Sequence, residues 1–192
     1  MRKTCVLALI ICASTTVGAA EPAHATLIVQ LADYERRVPP ETRKSAEQQL
    51  VRIFSAAGVD IQLLREGATA PKGRWSIEVL LLSDAMAHRL IDERQLEGHV
   101  LGITAGGRPR AYILVDRVLH LASHSGSDPG DTLGTIIAHE IGHLLLLPHA
   151  GESFGGIMQP KYEMLSRAQR RFTPTEADAI KIALGSAAAK GR

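Results

Sequence analysis

The sequence predicts an α+β fold, a mixed sheet covered by two or three helices. Three observations point there. Short apolar runs recur at 26–32, 59–64, 75–82, 98–104 and 110–115. Longer segments at 41–57 and 131–146 place apolar residues at helical spacing. The elements follow one another as strand, helix, several strands, then helices, without strict alternation. A chain of 192 residues suits one domain with a sizeable core, and hydrophobic and charged fractions of 45% and 22% are ordinary for a globular protein. Aromatic residues make up only 4%, so the core should be aliphatic.

Each element has its own signal. Residues 26–32 (TLIVQLA) read as a first strand. Pro39-Pro40 opens a helix over 41–57, with Ala46, Leu50, Ile53, Phe54 and Ala57 on one face, and Gly58 stops it. Residues 59–64 alternate as a half-buried strand, and the polar stretch Arg65–Arg74 reads as a loop. A stronger strand covers 75–82, and Ser83-Asp84 caps a short helix to about Asp92. Residues 98–104 form a weaker strand that turns at Ala105-Gly106-Gly107 into another at 110–115. A helix at 116–124 and a loop at 125–130 lead to the long helix 131–146. After a Gly-rich loop at 150–157, a last helix starts at 174, with Thr173 and Glu176 as a capping box and Pro174 in its first turn. The tail Ala187–Arg192 should fray.

Residues 1–20 read as a secretory signal peptide: Arg2 and Lys3, then the apolar run 4–17, then small residues at Gly18-Ala19-Ala20. Cleavage is expected after Ala20, with Ala19 and Ala25 as alternative sites. The run is short for a membrane span. The Ile beside Cys12 stands where a lipoprotein signal wants Gly or Ala. The expected destination is secreted or periplasmic. The remaining residues, 21–192, are expected to form one catalytic domain. Cleavage removes Cys5 and Cys12, leaving no disulfide and no thiolate ligand. It also removes Arg2 and Lys3, taking the formal charge from +2 to zero. No basic patch argues for nucleic acid, and no second apolar run could cross a membrane.

The chemistry is concentrated at His139-Glu140-Ile141-Gly142-His143 and His149. Histidines four apart on a helix share a face, so His139 and His143 can grip one metal ion. Glu140 projects beside them, placed to work on a metal-bound water. Ile136, Ile137, Ile141, Leu144 and Leu145 should bury the helix against the sheet and hold the ligands rigidly. His149 would complete a three-nitrogen site with one open position, the mark of a catalytic rather than structural zinc.

The extended pattern resembles the metzincin metallopeptidases, whose signature is HExxHxxGxxH followed by a Met-turn. His139, Glu140, His143 and His149 stand at the signature's spacing, with Leu146 in place of its glycine. Pro148 ends the helix and biases Leu147 to extended geometry. Gly155-Gly156-Ile157-Met158-Gln159-Pro160 resembles the Met-turn, although a lone methionine can also be core filler. The resemblance covers 131–160, and the preceding element order is similar to a metzincin N-terminal half.

It implies a mostly parallel twisted sheet with an antiparallel edge strand, covered by helices that include a metal-binding active-site helix. It further implies one catalytic Zn2+ on His139, His143 and His149, with Glu140 as general base and Met158 beneath the metal. The activity implied is that of an exported zinc endopeptidase acting on peptide or protein substrates. Tyr162 is either a stabiliser of the tetrahedral intermediate or a packing residue. Glu152 and Glu163 are rival third ligands. The 98–104 strand is a candidate edge for an extended peptide, with glycines allowing close backbone approach. His120 and His124 share a helix face without an intervening glutamate; His24, His88 and His99 stand alone and should be solvated. A second function class stays open: a non-catalytic zinc-binding or interaction module.

Overall fold

A computed structural model describes residues 25–71, 74–94, 101–105, 109–146, 155–159 and 169–190. Five strands, β1 (Ala25–Ala32), β2 (Val59–Leu64), β3 (Ser76–Leu82), β4 (Gly102–Ala105) and β5 (Arg110–Leu114), form one sheet in the order β2-β1-β3-β5-β4. β1 pairs in parallel with β2 and β3, and β3 in parallel with β5. β4 pairs antiparallel with β5, matching Gly102 to Ile113 and Thr104 to Ala111. The sheet is therefore mixed and mostly parallel, with an antiparallel edge, as the sequence reading expected.

Strand periodicity separates the two faces. Leu27, Val29 and Leu31 of β1, Ile77, Val79 and Leu81 of β3, and Ala111 and Ile113 of β5 turn toward the main helix layer. That layer holds α1 (Pro40–Ala56), α4 (Pro129–Leu146) and α5 (Pro174–Lys190). Leu50, Ile53 and Phe54 of α1, Leu133, Ile137 and Ile141 of α4, and Ile180 and Leu184 of α5 fill the core between. A smaller cluster joins Ile103 and Leu114 to Ala87 of α2 (Asp84–Arg94). α3 (Val115–Ser125) follows β5 directly and ends at Gly126 in the left-handed region, φ 62°.

α4 starts earlier than hydrophobic spacing predicts. Asp128 Oδ1 accepts the Asp131 N–H at 2.7 Å and so caps the helix, while Pro129 takes a first-turn position where its missing N–H costs nothing. The capping box of α5 forms: Thr173 N–H donates to Glu176 Oε2 at 2.7 Å, and Glu176 N–H to Thr173 Oγ1 at 3.3 Å. α5 runs on to Lys190 and so takes in part of the tail expected to fray, while Gly191 and Arg192 lie outside the described residues. Ala187-Ala188-Ala189 is the strongest helix-forming composition available.

α1 and α4 approach closely through glycine. A Cβ on Gly134 would stand 2.5 Å from the Ala46 carbonyl oxygen and 2.7 Å from Gln49 Cβ. Gln49 Nε2 also donates to Thr135 Oγ1 across this contact at 3.3 Å. Among the described residues no helix is long and apolar enough to cross a membrane. The signal-peptide expectation, residues 1–20, lies outside the described residues, as does the turn at Gly106-Gly107.

Candidate metal centre

α4 is buried along most of its length, and His139 and His143 lie on its half-exposed strip. Their Nε2 atoms stand 3.0 Å apart, with the rings edge to face and centroids 4.6 Å apart. His139 Nδ1 lies 2.8 Å from the Ile157 carbonyl oxygen. A carbonyl only accepts, so Nδ1 carries the proton and the Nε2 of a neutral His139 presents a lone pair. Two imidazole nitrogens at this separation must share a proton or a cation. A tetrahedral zinc with bonds of about 2.0–2.1 Å would set its nitrogens about 3.3 Å apart, close to the spacing present. Burial, and then the neighbouring His139, lower the His143 pKa to about 4. The neutral form thus favoured is the form that can ligate. On donor chemistry and spacing, the pair fits a shared metal ion.

The Ile157 carbonyl is held in place from behind. Gly156–Met158 forms a single 3-10 turn, and Ile157 N–H donates to the Arg171 carbonyl at 2.8 Å. Gly156 has φ 74°, and a Cβ there would meet the Arg171 oxygen at 2.8 Å, so only glycine fits. Met158 is 0% exposed. Its Sδ lies against Gly142, where an added Cβ would come within 2.5 Å of the sulfur and 3.0 Å of Phe172 Cε1. Gly142 therefore lets Met158 and Phe172 seat directly on the helix backbone one residue before His143. Phe172 in turn packs on Phe54, ring centroids 5.1 Å apart.

Glu140 is 6% exposed and lies against the edge strand rather than in open solvent. It lies against Gly102 of β4: a Cβ there would stand 2.5 Å from Glu140 Cγ and 2.6 Å from Oε1. Leu146, at the position of the family glycine, is the last residue of α4 and belongs to the core.

The described structure pairs His139 with His143, sets the turn of Met158 against the same helix, and seats Glu140 against Gly102 of β4. His149, Tyr162, Glu152 and Glu163 lie outside the described residues. Among the described residues no group of three or more His, Cys, Asp or Glu is gathered to hold a metal ion. His120 and His124 stack on the exposed face of α3 with centroids 3.9 Å apart, and His88 is exposed on α2. His24 and His99 lie outside the described residues. The Ile157 carbonyl, Gly142, Phe172 and Gly102 were not found from sequence. Gly142 carried one usable signal: a glycine inside an apolar helix costs about 1 kcal/mol relative to alanine, so close packing is its natural reason.

Strand order, the antiparallel edge and a buried helix carrying paired histidines define a mixed α+β architecture in which α4 backs the sheet edge. A solved protein with a similar fold is archaemetzincin from Methanopyrus kandleri. The TM-score is 0.53 at 14% identity, over 84% of this chain and 96% of that one. At that identity the likeness is one of fold. No protein-family model matches the sequence, and no curated protein matches it.

Proposed function

We propose that this chain is a zinc-dependent endopeptidase of metzincin-like type. One observation carries the reading: His139 and His143 converge at Nε2 while the carbonyl preceding Met158 fixes the His139 tautomer. A carbonyl partner on the far nitrogen is the usual support of a metal-ligating histidine. The archaemetzincin-like fold agrees with it. His149 is the proposed third ligand, and Met158 the apolar floor of the site.

A zinc ion held there would supply Lewis acidity, polarising a peptide carbonyl and bringing the pKa of water toward about 7. Glu140, one residue round the helix from His139, would accept the proton at its carboxylate and return it to the departing amine. Its burial keeps the carboxylate away from bulk water, where proton transfer to solvent would compete. Tyr162 is proposed to stabilise the developing oxyanion.

The test is a pair of measurements. Wild type should bind one zinc per chain and cleave peptides; Glu140→Gln should keep the zinc and lose about 10²–10⁴-fold in kcat, the usual worth of a positioned general base. Undiminished turnover in the variant would remove Glu140 from the mechanism. The core position of Leu146, where the family has a glycine, favours a second reading: a non-catalytic zinc-holding module. Zinc binding with no hydrolysis by wild type would select it. The segment 1–20 is proposed to export the chain. Fractionation of producing cells, with a mature N-terminus at Glu21, checks this.

A further inference from the structure

Gly102 is a glycine without a backbone reason. It is absent from the described glycines with positive φ, so its conformation suits any residue. Glycine within a strand weakens it by roughly 0.5–1 kcal/mol, and here the strand is the edge of the sheet. What the position lacks is a side chain, and the fold shows where that side chain would go. Ile103 turns away into the cluster with Leu114 and Ala87, so Gly102 faces the helix layer, as does its partner Ile113. There it meets Glu140. An added methyl would stand 2.5 Å from Cγ, 2.6 Å from Cδ and 2.6 Å from Oε1, far inside the ~3.5–4.0 Å of an ordinary carbon contact. The overlap involves the stem of the side chain as well as its tip, so rotating the carboxylate alone does not relieve it. Glu140 is 6% exposed and Ile141 beside it 0%, which leaves little room to retreat.

We propose that Gly102 is a positioning residue for Glu140. The bare backbone of β4 is the wall against which the stem and carboxylate of Glu140 are seated. The proposal rests on the reading of Glu140 as proton acceptor for its consequence in catalysis, but not for the contact itself. It also reassigns the glycine: the space it opens next to α4 is taken by the protein's own carboxylate.

The experiment uses zinc-loaded protein and a thermodynamic cycle. Gly102→Ala should lower kcat by about 10- to 100-fold, as misplacement of a reacting group by ~1 Å does, with KM within about twofold and one zinc per chain retained. It should also lower Tm, and that loss should vanish in a Glu140→Ala background, where the methyl has space. Folding of Gly102→Ala only in that background would support the proposal equally. Wild-type kcat in Gly102→Ala, or the same Tm loss in both backgrounds, overturns it. If wild type cleaves no peptide, the proposed function fails by itself, and the Tm coupling alone decides whether Gly102 seats Glu140.

Discussion

His139 and His143 show how much a four-residue interval carries. Helix geometry alone puts both rings on one face, and the structure sets their Nε2 atoms 3.0 Å apart. Spacing could not tell which nitrogen of His139 carries the proton, because that depends on a carbonyl 18 residues away. His143 gives a pH prediction for the metal-free protein. Its pKa falls from 6.5 to about 4 on folding, so the unfolded chain binds its proton at higher pH than the folded one. The contribution to stability is complete above 6.5, declines as pH falls toward 4, and changes no further below. Denaturant melts from pH 7 to pH 4 should show this decline, and His143→Gln should flatten it. Met158 gives a second. It is 0% exposed against Gly142 and Phe172, so Met158→Ala should cost about 2–5 kcal/mol, while Met158→Leu should cost under about 1.5 kcal/mol. Urea melts of both variants check the order.

Among the elements, α4 was the most legible and also the most incompletely read. Its apolar residues announced a buried helix, and Asp128-Pro129 could have set its start by cap chemistry rather than by hydrophobic spacing. Gly130, Gly134 and Gly142 are silent in a periodicity argument, since a missing side chain leaves no pattern. Each meets a different neighbour: Ser45 of α1, Ala46 and Gln49 of α1, and Met158. At Gly134 two effects of alanine oppose one another. Helix propensity favours it by about 1 kcal/mol, while overpacking against the Ala46 carbonyl costs about 1–3 kcal/mol. With 2.5 Å to that oxygen, overpacking should win, and Gly134→Ala should lower stability by up to about 2 kcal/mol in a chemical melt. The 3-10 turn at Gly156–Met158 is short enough to escape any periodic signal, and the residues that pin it, Arg171 and Thr173, belong to a later segment.

At the scale of the molecule, the sheet order brings the edge strand β4 onto the buried side of α4, while the turn at 156–158 reaches the same helix from the C-terminal region. Zinc bound at the proposed site would favour the folded chain and should raise its stability: about 2.7 kcal/mol at a free concentration one hundred times Kd. Thermal melts with and without a chelator should show the shift, and His139→Ala should abolish it. The element sequence, the core faces of α1 and α4, the capping box at Thr173 and the histidine pair were all readable along the chain, because each depends on contacts within a turn or on the period of one element. The order β2-β1-β3-β5-β4, the seat of Glu140 on Gly102, the seat of Met158 on Gly142 and the His139 tautomer were decided only by folding. Each joins segments far apart in the chain, where no periodicity links one residue to the other and where a glycine matters for the group it lets in.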